Sequence, residues 1–302
     1  MKRTINFMGI RVLAVSITLL LTLVSLGAIA VKGFNFGLDF TGGTLIELNY
    51  EGTADLNQIR EVLQGNGYAD AVVQSFGSIN DVLVRTPGDD PELGNQIARV
   101  LQTSGAQGFT VKRVEFVGPA VGEELRDQGG IGMLVALAGI LVYLGFRFQW
   151  KFGVGAIVGL FHDVVIVLGV FALFQIQFDL TVLAAVLAVI GYSLNDSIVI
   201  YDRIRENFRL LRNTSLIENI NISTTQTLLR TLATSISTLM AVISLLVFGG
   251  DNLWGFALAL MIGIIAGTFS SIYIASITLI WLKLTVEDLI PPVVAEEVDE
   301  TP

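Results

Sequence analysis

Six apolar stretches, each close to the length of a membrane-spanning helix, constrain this sequence more than any other feature. A helix that crosses a hydrocarbon core of about 30 Å needs ~20 predominantly apolar residues. The stretches are Val12–Val31, Gly130–Phe146, Phe152–Phe174, Leu180–Tyr201, Leu228–Phe248 and Leu253–Trp281. The last one exceeds the required length, as a tilted span does. The sequence therefore predicts an α-helical polytopic membrane protein with six transmembrane helices.

The composition supports this class and excludes several kinds of site. Of the 302 residues, 53% are hydrophobic and 15% are charged, whereas about a quarter are charged in soluble proteins. The net charge of -9, without basic runs, argues against a nucleic-acid partner. The absence of cysteine and the presence of a single histidine, His162, exclude disulfides, thiolate sites and multi-histidine metal sites. No cofactor is predicted.

The first apolar stretch has a second interpretation. Met1-Lys2-Arg3 precedes it and Ala28-Ile29-Ala30 lies near its end, an arrangement that a cleaved signal peptide also has. Its apolar core is longer than the ~7–15 residues of such signals. We therefore predict that the stretch is retained as the first span.

The distribution of basic residues predicts the orientation, because Lys and Arg concentrate in cytoplasmic loops. Basic residues precede the first span or lie in alternate loops: Lys2, Arg3, Arg11, Arg147, Lys151, Arg203, Arg205, Arg209 and Arg212. The loops Gln175–Asp179 and Gly249–Asn252 contain none. Both termini are therefore predicted to be cytoplasmic, and the segment Lys32–Gly129 is predicted to lie outside.

The outer segment has the pattern of a small α/β domain. The predicted strands are Thr44–Tyr50, Ala71–Phe76, Asp81–Thr86 and Phe109–Val117. One helix opens at a capping box at Asp55 and ends near Gly65 or Gly67, and a second covers Pro91–Ser104. The residues 77–80 predict a hairpin between the middle strands. The order βαββαβ suits a ferredoxin-like sandwich.

These patterns divide the chain into four parts. Residues 1–31 contain the first transmembrane helix, and residues 32–129 form the outer α/β domain. Residues 130–285 form a five-helix transmembrane bundle. Residues 286–302 form an acidic cytoplasmic tail, and the acids and prolines of Val293–Pro302 indicate disorder.

Three ionisable residues within the spans are candidates for function, because charge inside hydrocarbon is costly. Asp163, beside His162, lies near mid-depth of the third span. Asp196, preceded by Asn195, lies toward the cytoplasmic end of the fourth, and Arg230 lies near the start of the fifth. Antiparallel spans bring Asp196 and Arg230 to similar depths. They are therefore predicted to face each other, either as an adjustable proton-binding pair or as a structural salt bridge.

Asp163 and His162 also have two interpretations. They either belong to the same proton pathway or line a helix interface as polar packing groups. The second interpretation does not require either side chain to titrate.

Phosphate-loop, nucleophile-elbow and zinc-protease motifs are absent from the sequence. We therefore expect no enzymatic activity.

A glycine-rich string follows the first span directly. Gly37-Leu38-Asp39-Phe40-Thr41-Gly42-Gly43-Thr44 predicts either a hinge or a tight turn that ties the first span to the first strand. The turn is the favoured interpretation. The residues that define it are Gly37, Asp39, Gly42 and Gly43.

Four further strings carry a resemblance to a known family. They are Phe116-Val117-Gly118-Pro119, the GYSLNDSIV string at residues 191–199, the YDRIREN string at residues 201–207 and the TLLRTLATS string at residues 227–235. Together with GLDFTGG, they resemble the SecF proteins of the SecD/SecF protein-export family. The resemblance covers nearly the whole chain except the acidic tail.

The resemblance implies a function that composition does not. SecF proteins pair with SecD in a twelve-span unit that is similar to resistance-nodulation-division transporters. The pair associates in the bacterial inner membrane with the SecYEG channel and YajC. It is thought to use proton flow to assist the translocating preprotein, so the outer segment is implied to be periplasmic. Asp196 and Arg230 match family positions in the proton path, and SecD supplies a further carboxylate.

Two other functions remain as alternatives. A proton-coupled exporter of small molecules would share the transporter architecture and would have a substrate cavity. A structural tether of the translocon would not titrate at all and would tolerate neutral substitutes at Asp196 and Arg230. The length of the matching strings favours protein export.

Overall fold

The computed structural model describes residues 4–76, 78–104, 108–211, 214–285 and 287–289. The acidic tail Val293–Pro302, the basic residues Lys2 and Arg3, and Arg212 lie outside these residues. In chain order, the elements are α1 (Arg11–Lys32), β1 (Asn35–Phe36), α2 (Leu38–Thr41), β2 (Gly43–Tyr50), α3 (Leu56–Gly65), β3 (Val72–Phe76), β4 (Ser78–Thr86), α4 (Leu93–Thr103), β5 (Phe109–Val117), α5 (Pro119–Arg147), α6 (Trp150–Phe174), β6 (Gln177–Phe178), α7 (Leu180–Leu210), α8 (Leu216–Phe248), α9 (Asp251–Ile272) and α10 (Ile274–Trp281). Short 3₁₀ helices cover Phe7–Ile10 and Glu287–Leu289.

The six apolar stretches are helical, as predicted, and the described residues contain six helical segments long and apolar enough to cross a membrane. Several helices extend beyond the apolar stretch. The second segment begins at Pro119 rather than at Gly130, so the predicted boundary at residue 129 falls inside a continuous helix. The fifth begins at Leu216 rather than at Leu228. Hydropathy measures only the length inside hydrocarbon, whereas helical hydrogen bonds continue into the polar flanks.

The sixth segment consists of two helices instead of one. Tyr273 separates α9 from α10 with φ -103° and ψ -60°. Close to this break, the buried Tyr201 hydroxyl of α7 donates to the carbonyl oxygen of Ala275 at 3.1 Å. A side chain that bonds a helix carbonyl is a common cause of a local kink.

The core of the membrane part lies among α6, α7, α9 and α10. Its largest buried side chains include Phe152, Phe171 and Tyr201. By contrast, α5 buries only Gly122 and Leu144 among its own residues. Phe146 of α5 is 91% exposed, so this helix presents an apolar surface that suits lipid or another membrane helix.

The outer domain has the predicted ferredoxin-like topology. Its antiparallel sheet has the order β3-β4-β2-β5, and α3 and α4 pack on one face. The Asp55 carboxylate caps α3 by accepting from the N–H groups of Asn57 and Gln58 at 2.9 and 3.2 Å. The helix-facing core comprises Ile46, Leu48, Tyr50, Ile59, Leu63, Val73, Val82, Val84, Ile97 and Leu101.

The connection between β3 and β4 is shorter than predicted. We expected a hairpin at residues 77–80 and a strand from Asp81, but β4 already begins at Ser78. Gly77 itself lies outside the described residues. Ser78 pairs with Phe76, and a shift of register between Ser75 and Phe76 accommodates the short connection.

The sheet's other face carries a buried charge cluster. Glu47 is only 4% exposed, and Lys112 and Arg113 approach its carboxylate at 3.6 and 3.5 Å. Arg113 also donates to the Asn252 side chain at the start of α9. This face of the sheet therefore rests against the outer ends of the membrane helices.

Asp81 makes the outer domain sensitive to acid. Its carboxylate accepts from Lys112 at 2.8 Å, Asn49 at 2.6 Å and Ser78 at 2.7 Å. These bonds, that from Lys112 first, lower the pKa of Asp81 from 3.8 to about 2. Because the pKa is lower in the folded state, this stabilisation is complete above the ordinary pKa and is lost as the pH falls toward 2. We expect hydrogen-exchange protection of β2 and β4 to fall over this pH range.

An Asp81→Asn variant serves as the control. It should be less protected at neutral pH and should lose the part of the acid dependence that Asp81 contributes. An unchanged acid profile in Asp81→Asn would show that other carboxylates cause the loss.

Candidate functional site

Asp163 of α6 joins three helices at the centre of the membrane part. Its side chain is fully buried, and Oδ2 accepts from Ser193 of α7 at 2.5 Å and from Ser270 of α9 at 2.7 Å. The Nδ1 atom of His162 lies 3.0 Å from Oδ1. Gly267 of α9 lies against Asp163 and Ser193 and leaves room for this approach. The carboxylate is thus held by hydrogen bonds from several directions.

Asp196 of α7 lies in a different environment. The residue is 2% exposed, and its Oδ2 atom has no hydrogen-bond partner among the described residues. Its Oδ1 atom has only a long contact of 3.5 Å with the Asn195 side chain. A buried carboxylate with a free oxygen is costly, and such a group favours proton uptake or the approach of a donor.

The register between α7 and α8 identifies what Asp196 faces. Asn207 of α7 donates to Ser223 of α8 at 2.8 Å, and Tyr192 of α7 donates to Ser235 at 3.4 Å. Asp196, one turn from Tyr192, therefore faces the turn of α8 that contains Thr231. The Thr231 hydroxyl is buried and also has no hydrogen-bond partner within the described part of the chain.

Arg230 lies at the depth that the sequence predicts, and its charge acts on Asp196. No salt bridge within 4 Å joins these two described residues, so a direct ion pair between them stays a prediction. Arg230 is exposed on α8, where it lines a cavity of about 350 Å³ together with Asn195 and the charged residues that follow on α7. Successive residues of a helix point about 100° apart, so burial of Thr231 turns its neighbour Arg230 outward.

A buried polar stripe on α8 was not predicted as part of the site. Its members are Asn219, Asn221, Ser223, Thr224, Thr227, Thr231 and Ser235. Spacings of three and four residues were the signal in the sequence, because they place these side chains on one helix face. The hydroxyl of Ser235 lies 2.8 Å from that of Thr268, which extends the stripe to α9.

The glycine-rich string forms a tight turn in this structure. Gly37 precedes the single helical turn α2, and Gly42 and Gly43 follow it with φ of 64° and 108°. These left-handed angles favour glycine, and they direct the chain straight into β2. The other interpretation of the string, a hinge, stays a prediction.

The same string, together with the short strand β1 directly before it, contacts the loop before α7. Asn35 and Phe36 pair in parallel with Gln177 and Phe178, and the Gly37 N–H donates to the Phe178 carbonyl at 2.8 Å. The Asp39 carboxylate accepts from the Leu180 N–H at 3.1 Å. Asp39 thus lies at the start of the helix that carries Asn195 and Asp196.

Comparison with known proteins identifies the family. Residues 96–285 match the family described as protein export membrane protein SecD/SecF, C-terminal. This match covers well over half of the chain. The chain belongs to the SecD/SecF family. Residues 27–54 also match the SecD/SecF GG motif, whose segment includes Gly42 and Gly43.

Relatives within the SecD/SecF family specify the subunit type. Protein translocase subunit SecF of Pseudomonas aeruginosa is 66% identical over 300 residues, which cover 99% of this chain and 98% of the relative. Protein translocase subunit SecF of Escherichia coli O157:H7 is 45% identical over 306 residues, covering 100% and 95%. The resemblance to SecF is confirmed. The chain is a translocase subunit of the SecF type and a multi-pass inner-membrane protein.

Solved structures of SecDF share the fold. SecDF from Thermus thermophilus, described as a translocon-associated membrane protein, matches with a TM-score of 0.84 and 41% identity over 93% of this chain. SecDF in a super-membrane-facing form matches with a TM-score of 0.69 and 40% identity over 94% of this chain. This chain spans only 39% of either SecDF chain.

Proposed function

We propose that this chain pairs with SecD and uses the proton motive force to assist translocation of polypeptides across the inner membrane. The proposal rests on Asp196, whose carboxylate is buried in a transmembrane helix and has an oxygen without a hydrogen-bond partner among the described residues. A group of this kind can take up a proton where water reaches it. A cavity lined by Arg230 and by Asn195, the chain neighbour of Asp196, lies on the adjoining helix face, and the proposal requires water to reach Asp196 from it.

The proposed step is protonation of Asp196 at Oδ2. In its ionised form, Asp196 attracts the Asn195 amide, 3.5 Å away, and the positive charge of Arg230 on α8. Protonation removes this attraction and allows α7 and α8 to repack. One charge that crosses 100 mV releases ~2.3 kcal/mol, enough to shift a two-state equilibrium about fiftyfold. The step needs no salt bridge between Asp196 and Arg230.

SecD is the proposed partner for the exposed faces of the membrane helices. Arg230 is exposed on a transmembrane helix, and a charge there needs a partner or water. A carboxylate from SecD would meet this need. The chain spans 39% of the solved SecDF chains, which leaves room for a second half. We extend the proposal to association with the SecYEG channel and YajC, with the translocating preprotein as substrate.

The orientation follows from the distribution of basic residues. Arg147, Lys151 and Arg205 lie at one end of the helix bundle, and we assign that end to the cytoplasm. Both termini would then be cytoplasmic, and residues 32–129 would be periplasmic.

Secretion by an Asp196→Asn variant tests the proposal. A reporter preprotein is followed in cells or vesicles that carry the variant, with and without a proton gradient. We expect the gradient-stimulated part of export to be lost, because asparagine cannot take up the proton. Gradient-independent export and assembly with SecD should remain.

The matched control is Asp127→Asn on α5, which does not line this cavity. Asp127 bonds Arg126 at 3.3 Å, and its side chain is 63% exposed. This variant should keep its gradient response. If Asp196→Asn also keeps its gradient response, a tether that does not titrate becomes the better function. Normal secretion together with drug sensitivity on deletion would instead indicate a small-molecule exporter.

A further inference from the structure

We propose that Asp39 is the positioning residue that couples the outer domain to the helix carrying Asp196. The inference rests on the proposed function and adds to it the route by which a change at Asp196 reaches the outer domain. The route runs from Asp196 along α7 to Leu180, across one hydrogen bond to Asp39, and through α2 into β2.

The first part of the route is the helix itself. Asp196 lies within α7, which is continuous from Leu180 to Leu210. At 1.5 Å per residue, the distance along the axis from Leu180 to Asp196 is about 24 Å. A continuous helix of this length transmits a shift or rotation from one end to the other, because its backbone hydrogen bonds resist local change.

The second part is the start of α7, where two carboxylates share the capping. Asp179 belongs to the helix's own N-terminus and accepts from Val182 N–H at 2.9 Å. Asp39 comes from far away in the sequence and accepts from Leu180 N–H at 3.1 Å. Both acids suit the positive end of the helix dipole. Of these two acids, Asp39 is the one that belongs to another part of the molecule.

The third part ties Asp39 to the outer domain. Leu38, beside it, is buried against Leu45 and Leu83 of the sheet. Arg85 of the central strand β4 donates to the Phe36 carbonyl at 2.5 Å and to the Asn35 side chain at 3.2 Å. The segment that carries Asp39 therefore moves with the sheet.

An aromatic cluster supports the same junction. Phe178, directly before the cap of α7, contacts Phe34, Phe36 and Phe40 with ring centroids 5.4, 6.2 and 6.0 Å apart. It also contacts Phe171 at 6.3 Å. These contacts give the junction stability, but aromatic packing tolerates sliding. Two directional bonds cross the junction, from Gly37 N–H to the Phe178 carbonyl and from Leu180 N–H to Asp39, and of these the bond to Asp39 reaches α7 itself.

Secretion by three variants tests the proposal, all in the full chain together with its membrane partner. Asp39→Ala removes the bond to Leu180 and should lose most of the gradient-stimulated export while the complex still assembles. We expect occupancy of the docked arrangement to fall about fivefold, the factor that loss of one helix-capping hydrogen bond gives. Asp39→Asn keeps an acceptor oxygen and should retain the stimulation.

Asp179→Ala is the matched control. It removes capping bonds from the same helix end, to Val182 and to the Thr181 hydroxyl, but it breaks no link to the outer domain. The variant should keep its gradient response. Equal losses in Asp39→Ala and Asp179→Ala would overturn the proposal, because capping alone would then explain both. A normal gradient response in Asp39→Ala would overturn it as well.

A distance measurement keeps the test decisive if Asp39→Ala does not accumulate. The chain lacks cysteine, so spin labels can be attached at Gln64→Cys on the outer domain and Phe248→Cys at the end of α8. With Asp39 present, Asp196→Asn should shift the distance between the labels. In an Asp39→Leu background, which nearly keeps the side-chain volume but has no acceptor oxygen, the shift should be lost. A full shift in that background, or no shift with Asp39 present, would overturn the coupling.

The outcomes separate the coupling from the proposed function. If Asp196→Asn abolishes the gradient response and Asp39→Ala does not, only the coupling fails. If Asp196→Asn leaves the response unchanged, the proton-driven function itself fails.

Discussion

Replacing Asp163 by alanine is expected to lower the free energy of unfolding of the helical assembly by about 3 kcal/mol. The carboxylate accepts from Ser193 and Ser270, and His162 lies beside it. Alanine would remove the acceptor of both buried hydroxyls, and that of Ser270 would keep its 3.2 Å bond to the Gly267 carbonyl. It would also remove the Oδ2 atom that joins α6 to both α7 and α9.

Unfolding of the purified protein in mixed micelles with increasing dodecyl sulfate measures this loss. Asp163→Asn is the matched control, since its amide oxygen still accepts a hydrogen bond and its volume is nearly the same. We expect Asp163→Asn to lose less than half as much stability as Asp163→Ala. Equal stability of Asp163→Ala and the natural protein would show that the cluster does not hold the helices together.

The same asparagine variant tests whether Asp163 belongs to the proton pathway. Asparagine keeps the packing but cannot take up a proton. Loss of gradient-dependent export with normal stability would assign Asp163 to the pathway. An unchanged gradient response would leave it as a group that lines the interface, the other interpretation that the sequence allows.

Replacing Gly43 by alanine is expected to destabilise the outer domain by about 3 kcal/mol or more. Gly43 has φ of 108°, which costs a residue with a side chain strain energy. An added Cβ would also lie 2.6 Å from the carbonyl oxygen of Thr86. That oxygen belongs to the neighbouring strand β4 and cannot move aside without breaking the pairing of β2 with β4.

Hydrogen exchange of β2 and β4 in the full chain measures the effect. Gly65→Ala in α3 is the control, because an added Cβ there meets nothing within 4 Å. Alanine in a helix is favoured over glycine by about 0.5–1 kcal/mol, so this variant should not lose protection. Similar losses in the two variants would mean that the turn at Gly43 is not strained.

Much of the architecture could be predicted because it depends on short-range patterns. The spans are visible in hydropathy, since every stretch such as Phe152–Phe174 is apolar almost throughout. The outer domain alternates strands and helices in an order that few topologies satisfy. The cap at Asp55 needs only local residues, and the structure places it as predicted.

The helix ends were predicted less well. The start of α8 at Leu216 was missed because residues such as Asn219 and Ser223 look like a loop in hydropathy. In the structure both are buried, and the Ser223 hydroxyl accepts from Asn207 of α7 and donates to Asn219. A polar side chain is tolerated inside the membrane part when a neighbouring helix supplies its hydrogen-bond partner. Hydropathy carries no information on which helices are neighbours.

Hydropathy was thus enough to predict which helices carry Asp163, Asp196 and Arg230, and at roughly what depth. The direction in which each side chain points depends on the tertiary structure. Asp163 meets Ser193 and Ser270, whereas no salt bridge within 4 Å joins the described residues Asp196 and Arg230. Depth follows from 1.5 Å of rise per residue, but direction depends on the rotation of each helix about its axis. That rotation is set by packing between helices, to which residues distant in the chain contribute.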